Sequence, residues 1–476
     1  MRGMKWWLVA LAVCAVTSGG ASTPAGAEDE ARDDAAAVKA LDVMRLRMEA
    51  LLGEADVLVR LGRLDEALAV YREVGTAYER GLQSLGGFLS GVRGRRASVD
   101  HAGAAATQPA ATRPAAGEIG DARGAVDAGL AWLAAHQAED GHWDAALPPS
   151  GDAGVGVGSR VTGKPIFNVG VTGLATMAFL GAGHSPTGEG PYAATVARAL
   201  QYLLATQDHE GCFGPRVTQQ YIYGHLIASL VVCEAYGLSG DARLREPAQR
   251  GVAFTLLARN PYMGWRYGVK PGDNDTSVTS WAVLSLASAR LTLGASEPIA
   301  GLAEAMQGAL AWLEKVTDLQ TGRIGYIARG SGPARPQEML DRFPSDQSEA
   351  MTSAGTLARL LAGVPATDRT VQLSARLIQD KPPVWNEASG QIDMVHWYFG
   401  TLAAYQLGGA VWNTWQPALA RAVFATQLRS GDDAGSWDPA GPWGPDGGRV
   451  YSTALMTLCA EVLMRYGQVP GTGGGR

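Results

Sequence analysis

AVDAGLAWLAAHQAEDGHW, residues 125–143, reads as a helix closed by a polar, glycine-bearing turn and an aromatic. A second helix follows it, NVGVTGLATMAFLGAG from residue 168. The same pair recurs: VARALQYLLATQDHEGCF with YIYGHLIASLVVCEAYG, GVAFTLLARNPYMGW with DTSVTSWAVLSLASARL, and GALAWLEKVTDLQTGRIGY with SEAMTSAGTLARLLAG. LSARLIQDKPPVWNEASGQ with DMVHWYFGTLAAYQLGG and ALARAVFATQLRSGDDAGSW with RVYSTALMTLCAEVLMRYG complete the series. Six helix-turn-helix units at a spacing of roughly 50 to 70 residues are a repeat signature.

The two helices of a unit differ in character. The first carries charge on one face, as in Ala309 to Lys315, and the second is small and apolar almost all round, as in Val169 to Gly183. A helix apolar on every side is buried, and one with a polar face looks outward. The predicted fold is therefore all-α: an (α/α)6 toroid over residues 119–467, with six inner helices, six outer ones, and a central funnel lined at its mouth by the loops before the inner helices.

The turns Gln137, Gly141, Trp143 and Gln207, Gly211, Phe213, with Gln427, Gly435 and Trp437 in a longer version, form a Gln-x-x-x-Gly-x-aromatic pattern. It resembles the repeat of squalene and oxidosqualene cyclases and of protein prenyltransferase β-subunits. The resemblance implies a structural turn, in which the glutamine caps a helix end and the tryptophan stacks on its amide. It also implies where chemistry would sit. The cyclases' Asp-x-Asp-Asp-Thr acid motif is matched by Gly272-Asp273-Asn274-Asp275-Thr276, where Asn274 stands in the acid's place and cannot donate a strong-acid proton. The prenyltransferases' zinc ligands would map onto Asp275, Ser277 in place of cysteine, and His396; a neutral serine is a poor zinc ligand. No cofactor is expected, and zinc at His396 is the metal reading the resemblance leaves open.

The stretch from Gly264 to Leu286, GWRYGVKPGDNDTSVTSWAVLSL, holds most of the candidates. An acidic and hydroxyl cluster, Asp273 to Ser277, opens its helix, so Asp275 is either a cap or an acid facing a cavity. Candidate catalytic residues are Asp273 and Asp275. Candidate ligand-binding residues are Trp265, Tyr267, Trp281, Glu349, Asp393, Trp397 and Tyr398: acids near inner-helix starts and aromatics for the walls. Such a pocket suits an apolar or amphipathic small molecule, or a protein segment gripped by aromatics. The leading reading is a ligand-binding or protein-interaction scaffold. The enzymatic alternatives are a divergent triterpene cyclase or isomerase using Asp273 or Asp275 as general acid, and a carbohydrate-active toroid working with paired carboxylates.

Residues 1–27 carry Arg2, Lys5, an apolar run from Trp6 to Val16 and an Ala25-Gly26-Ala27 site, the pattern of an export signal. The expectation is a periplasmic or extracellular protein with no integral membrane anchor once the signal is removed. Residues 28–92 read as a helical hairpin of tetratricopeptide type, 93–118 as an Ala/Thr/Pro linker, and 468–476 as a tail. A net charge of −6 with mixed signs argues against nucleic acid as a partner. Cys212, Cys233 and Cys459 cannot all pair with one another, and no C-x-x-C occurs, so disulfides are not the framework.

Overall fold

The computed structural model describes residues 116–148, 161–218, 220–294 and 298–467, and Arg63. The export signal, the N-terminal hairpin, nearly all of the linker and the C-terminal tail lie outside the described residues.

Twelve α-helices run in six pairs among the described residues. They are α1 (Ala116–Ala135) with α2 (Asn168–Gly181), α3 (Ala193–Ala205) with α4 (Tyr221–Ser239), and α5 (Ala242–Ala258) with α6 (Thr276–Thr292). The second half has α7 (Leu302–Val316) with α8 (Ala350–Leu361), α9 (Arg369–Asp380) with α10 (Met394–Leu407), and α11 (Gly409–Thr426) with α12 (Gly444–Gly467). The even-numbered helices form the inner ring: each packs on the next, from α2 through α4, α6, α8 and α10 to α12, and α12 packs back on α2. The expected (α/α)6 toroid is present and closed.

Burial follows the sequence pattern. Outer helix α3 buries a single stripe, Thr195, Val196, Ala199, Leu200 and Leu203, at helical spacing. Inner helix α4 is buried continuously from His225 to Cys233. It is the one helix among the described residues long and apolar enough to cross a membrane, and most of it is buried inside the ring.

The turns bind the ring together. Gln137 Nε2 donates to Gly141 O at 2.9 Å and to Thr195 O of α3 at 2.9 Å. Gln207 does the same to Gly211 O and Pro247 O of α5, at 3.1 and 3.0 Å. Gln427 joins Gly435 O to Ala125 O of α1, at 2.9 and 2.8 Å, which ties the last unit to the first. Thus the glutamine bridges units through two carbonyls. The indole N–H of the turn tryptophan reaches back to its own outer helix: Trp143 to Leu133 O (2.7 Å), Trp265 to Thr255 O (2.7 Å) and Trp437 to Val423 O (2.9 Å). Gly211 sits at φ 94° against the backbone carbonyl of Arg250, where any Cβ would collide.

A third contact repeats on the inner side. The backbone N–H of the turn residue donates to a side chain on the following inner helix: Trp143 to Thr172, Phe213 to His225 Nδ1, Trp265 to Thr279, Ile324 to Thr352 and Trp437 to Thr453, over 3.0 to 3.3 Å. Aligning the six inner helices on this position places His396 at it in the fifth unit.

Candidate functional site

The repeat assigns a supporting role to His396. Its Nε2 lies 2.8 Å from Lys381 O, which can only accept, so Nε2 carries the proton. Nδ1 then accepts from the Ser353 hydroxyl at 2.9 Å. Burial lowers its pKa, and the neutral ring is fully engaged. As placed, His396 has no lone pair to offer a metal, and no group of three or more His, Cys, Asp or Glu side chains suited to a metal occurs among the described residues.

The aromatics foreseen as cavity walls fill space instead. Trp265 is 0 % exposed and is the structural turn tryptophan. Trp281 of α6 stacks on Tyr398 of α10, with ring centroids 5.7 Å apart, and meets Phe399 edge-on at 5.0 Å. In the inner ring α8 stands between α6 and α10, and at the repeat position shared by Trp281 and Tyr398 it carries only Ala354. The small side chain lets the two large rings meet in front of α8. Trp397 is buried beside Trp385, 6.0 Å away. Trp281 and Tyr398 are thus buried against each other at the depth where the sequence suggested funnel walls.

The acids divide into two groups. Asp393 caps α10 by accepting from Val395 N and His396 N, and its second oxygen accepts from Arg335 Nη2 at 2.7 Å and Ser348 Oγ at 2.8 Å. Burial opposes its charge, yet Arg335, His396 and the Ser348 hydroxyl hold its pKa below the usual carboxylate range. Arg335 spends its other N–H groups on Phe343 O and Ala334 O. Glu349 accepts from Thr352 Oγ1 at 2.6 Å and pairs with Arg323 at 3.2 Å. Asp273 is exposed and pairs with Arg266 at 2.6 Å. Asp273 is thus a surface ion-pair partner.

Asp275 is different. It is 0 % exposed and caps α6 through Oδ1, which accepts from Val278 N at 2.8 Å. Oδ2 has no hydrogen-bond partner, and its nearest cation, Arg266 Nε, stands off at 3.8 Å. Burial raises its pKa to about 7, against the lowering effects of the Val278 N–H and Arg266. One oxygen therefore caps the helix, as one of the two sequence readings had it, and the other is buried without a hydrogen-bond partner.

Three tyrosines surround it. Tyr267 and Tyr326, two residues beyond Trp265 and Ile324 in equivalent turns, share a hydroxyl-to-hydroxyl bond of 2.7 Å. Tyr223 of α4 donates to Ser277 Oγ at 3.0 Å, and its ring lies 6.1 Å from that of Tyr267. Arg266 lies over the Tyr267 and Tyr326 rings at 5.4 and 5.9 Å. Sequence reasoning found Asp275 and Tyr267 but missed Tyr223, Arg266 and Tyr326. Superposing the third and fourth turns, WRY on IGY, would have paired the two tyrosines.

No protein-family model matches the chain, and no curated protein matches it. Among solved structures the chain is similar to an inactive variant of an α-1,6-mannanase of Salegentibacter sp. in complex with α-1,6-mannotriose. That match has 12% identity over 74% of this chain and 100% of that one, with a TM-score of 0.49. It is also similar to a cellobiose 2-epimerase from Spirochaeta thermophila (16% identity, 73% and 98% covered, TM-score 0.45). A protein from Actinoplanes matches at 15% identity, 72% and 98% covered, with a TM-score of 0.41. Matches this distant say nothing of activity, which resides in particular side chains rather than in architecture.

Proposed function

We propose that this toroid is a binding scaffold that takes a protein segment at its mouth, a member of the cyclase and prenyltransferase repeat class that has lost that class's chemistry. The observation that carries the reading is the aromatic stack: Trp281 and Tyr398 spend their faces on each other in front of α8, where the resemblance would have had them line a polyprenoid cavity. The other acids foreseen for catalysis or binding support it, because Asp273, Glu349 and Asp393 are each held by an arginine. Glycoside hydrolysis needs two carboxyl groups facing one gap; here Asp273 and Asp275 share Arg266. The export-signal pattern of residues 1–27 supports a place for such a scaffold outside the cytoplasm, and the reading expects no zinc or other cofactor.

Native mass spectrometry of the full chain, compared with the denatured mass, tests this. The scaffold reading expects no bound lipid or metal. An isoprenoid or a zinc ion held one-to-one would overturn it.

A second reading is favoured by one observation, the unpartnered Oδ2 of a buried Asp275. In that reading Asp275 is a general acid, protonated below about pH 7. Turnover of squalene by the wild type that is abolished in Asp275→Asn would establish it and remove the scaffold reading.

A further inference from the structure

The polar cluster that Tyr223, Tyr267, Tyr326, Arg266 and Asp275 form where the second, third and fourth units meet is built like a receptor for a cation. Its walls are the rings of Tyr223, Tyr267 and Tyr326, whose faces carry negative electrostatic potential. Its base is the Asp275 carboxyl, with Oδ2 buried, unpartnered and turned toward Arg266. All three tyrosine pKa values are raised, by burial first and by the nearby Asp275 carboxyl as well. One cation is already there. The Arg266 guanidinium lies over two of the rings, but its hydrogen bond goes outward to Asp273, whose side chain is 59% exposed. Two carboxylates therefore share one guanidinium, and the buried one has the worse share.

We propose that this cage binds the guanidinium or ammonium group of a partner protein's arginine or lysine, and that Arg266 is its internal occupant in the free protein. The proposal rests on the scaffold reading for the identity of the partner and on the cage alone for the chemistry. Arg266 has an exposed carboxylate to swing toward, and its side chain is 23% exposed, so the cage lies close to solvent. A ligand cation entering over the rings would give Asp275 Oδ2 the direct, charge-assisted bond it lacks.

The test uses the full chain and a small probe, methylguanidinium, followed by titration calorimetry at constant ionic strength with sodium as the control ion. Removing the internal competitor in Arg266→Ala is expected to tighten methylguanidinium binding by about tenfold over the wild type. Adding Asp275→Asn to that variant is expected to remove the gain. Arg266→Met, which retains the side-chain bulk above the rings, covers the case in which the alanine variant does not fold. Equal binding by wild type and by whichever Arg266 variant folds, or a gain that survives Asp275→Asn, overturns the proposal. Failure here leaves the scaffold reading untouched. Conversely, a cage that binds methylguanidinium in a protein that also holds a stoichiometric isoprenoid would keep the cage and remove the scaffold.

Discussion

Asp275 and Asp393 open inner helices of the third and fifth units, and both are buried and cap through one carboxylate oxygen. They differ in what the second oxygen meets. At Asp393 it meets Arg335 and Ser348, and the acid is held ionised. At Asp275 it meets a guanidinium 3.8 Å away, and the pKa rises to about 7. Burial alone does not make an acid reactive or inert; the satisfaction of its second oxygen does.

The largest expected effect comes from breaking the satisfied side. Arg335→Ala leaves a buried carboxylate and the carbonyls of Phe343 and Ala334 without their partner, and should cost about 3–5 kcal/mol in chemical denaturation. An unchanged midpoint would show that water reaches Asp393 and that the contrast is overstated.

The contrast also has a pH signature. Asp275 has a folded pKa above its unfolded one, so its proton stabilises the fold below about pH 4, and that contribution is lost as pH rises toward 7. Asp393 behaves oppositely: its contribution is present above about pH 4 and lost as pH falls through its lowered folded value. Relative to Asp275→Asn, the wild type should therefore lose about 2–4 kcal/mol between pH 4 and pH 8. Parallel stability curves for the two proteins would mean that Asp275 is ionised throughout.

Smaller effects sharpen the comparison. Converting His396 to the residue most other units carry, His396→Thr, should cost about 1–3 kcal/mol by leaving Lys381 O unpaired and a gap beside Trp415, with no change in metal content. Asp273→Asn should change stability by no more than about 1 kcal/mol, since its ion pair is exposed. A larger loss would mean that Arg266 depends on Asp273 for its position over the tyrosines.

The sequence made the fold legible because the glutamine, glycine and aromatic of each turn are close in the chain and recur. It also showed which acids begin inner helices. What it concealed was who meets them. Arg335 is 58 residues from Asp393, a pair brought together by the packing of one unit on the next, which no local pattern encodes; Tyr326 and Tyr267, 59 apart, are linked in sequence only by their equivalent places in two turns. The stacking of Trp281 on Tyr398 was hidden for a related reason. Trp281 and Tyr398 looked like cavity walls, and the residue that lets them touch is the inconspicuous Ala354 on the helix between. His396 looked like a ligand until its repeat position, shared with threonines and with His225, was identified.

The bond from Gln427 to Ala125 spans 302 residues. During synthesis at roughly 5–20 residues per second, the first outer helix waits about 15–60 s for the unit that will cover its edge. Until then the nascent chain is an open arc with an apolar edge at each end, and long-range closure of this kind is slow. A protein shortened by its last unit would remain in that state, so its exposed edges, rather than any missing active group, would be the first thing a chaperone or a protease encountered.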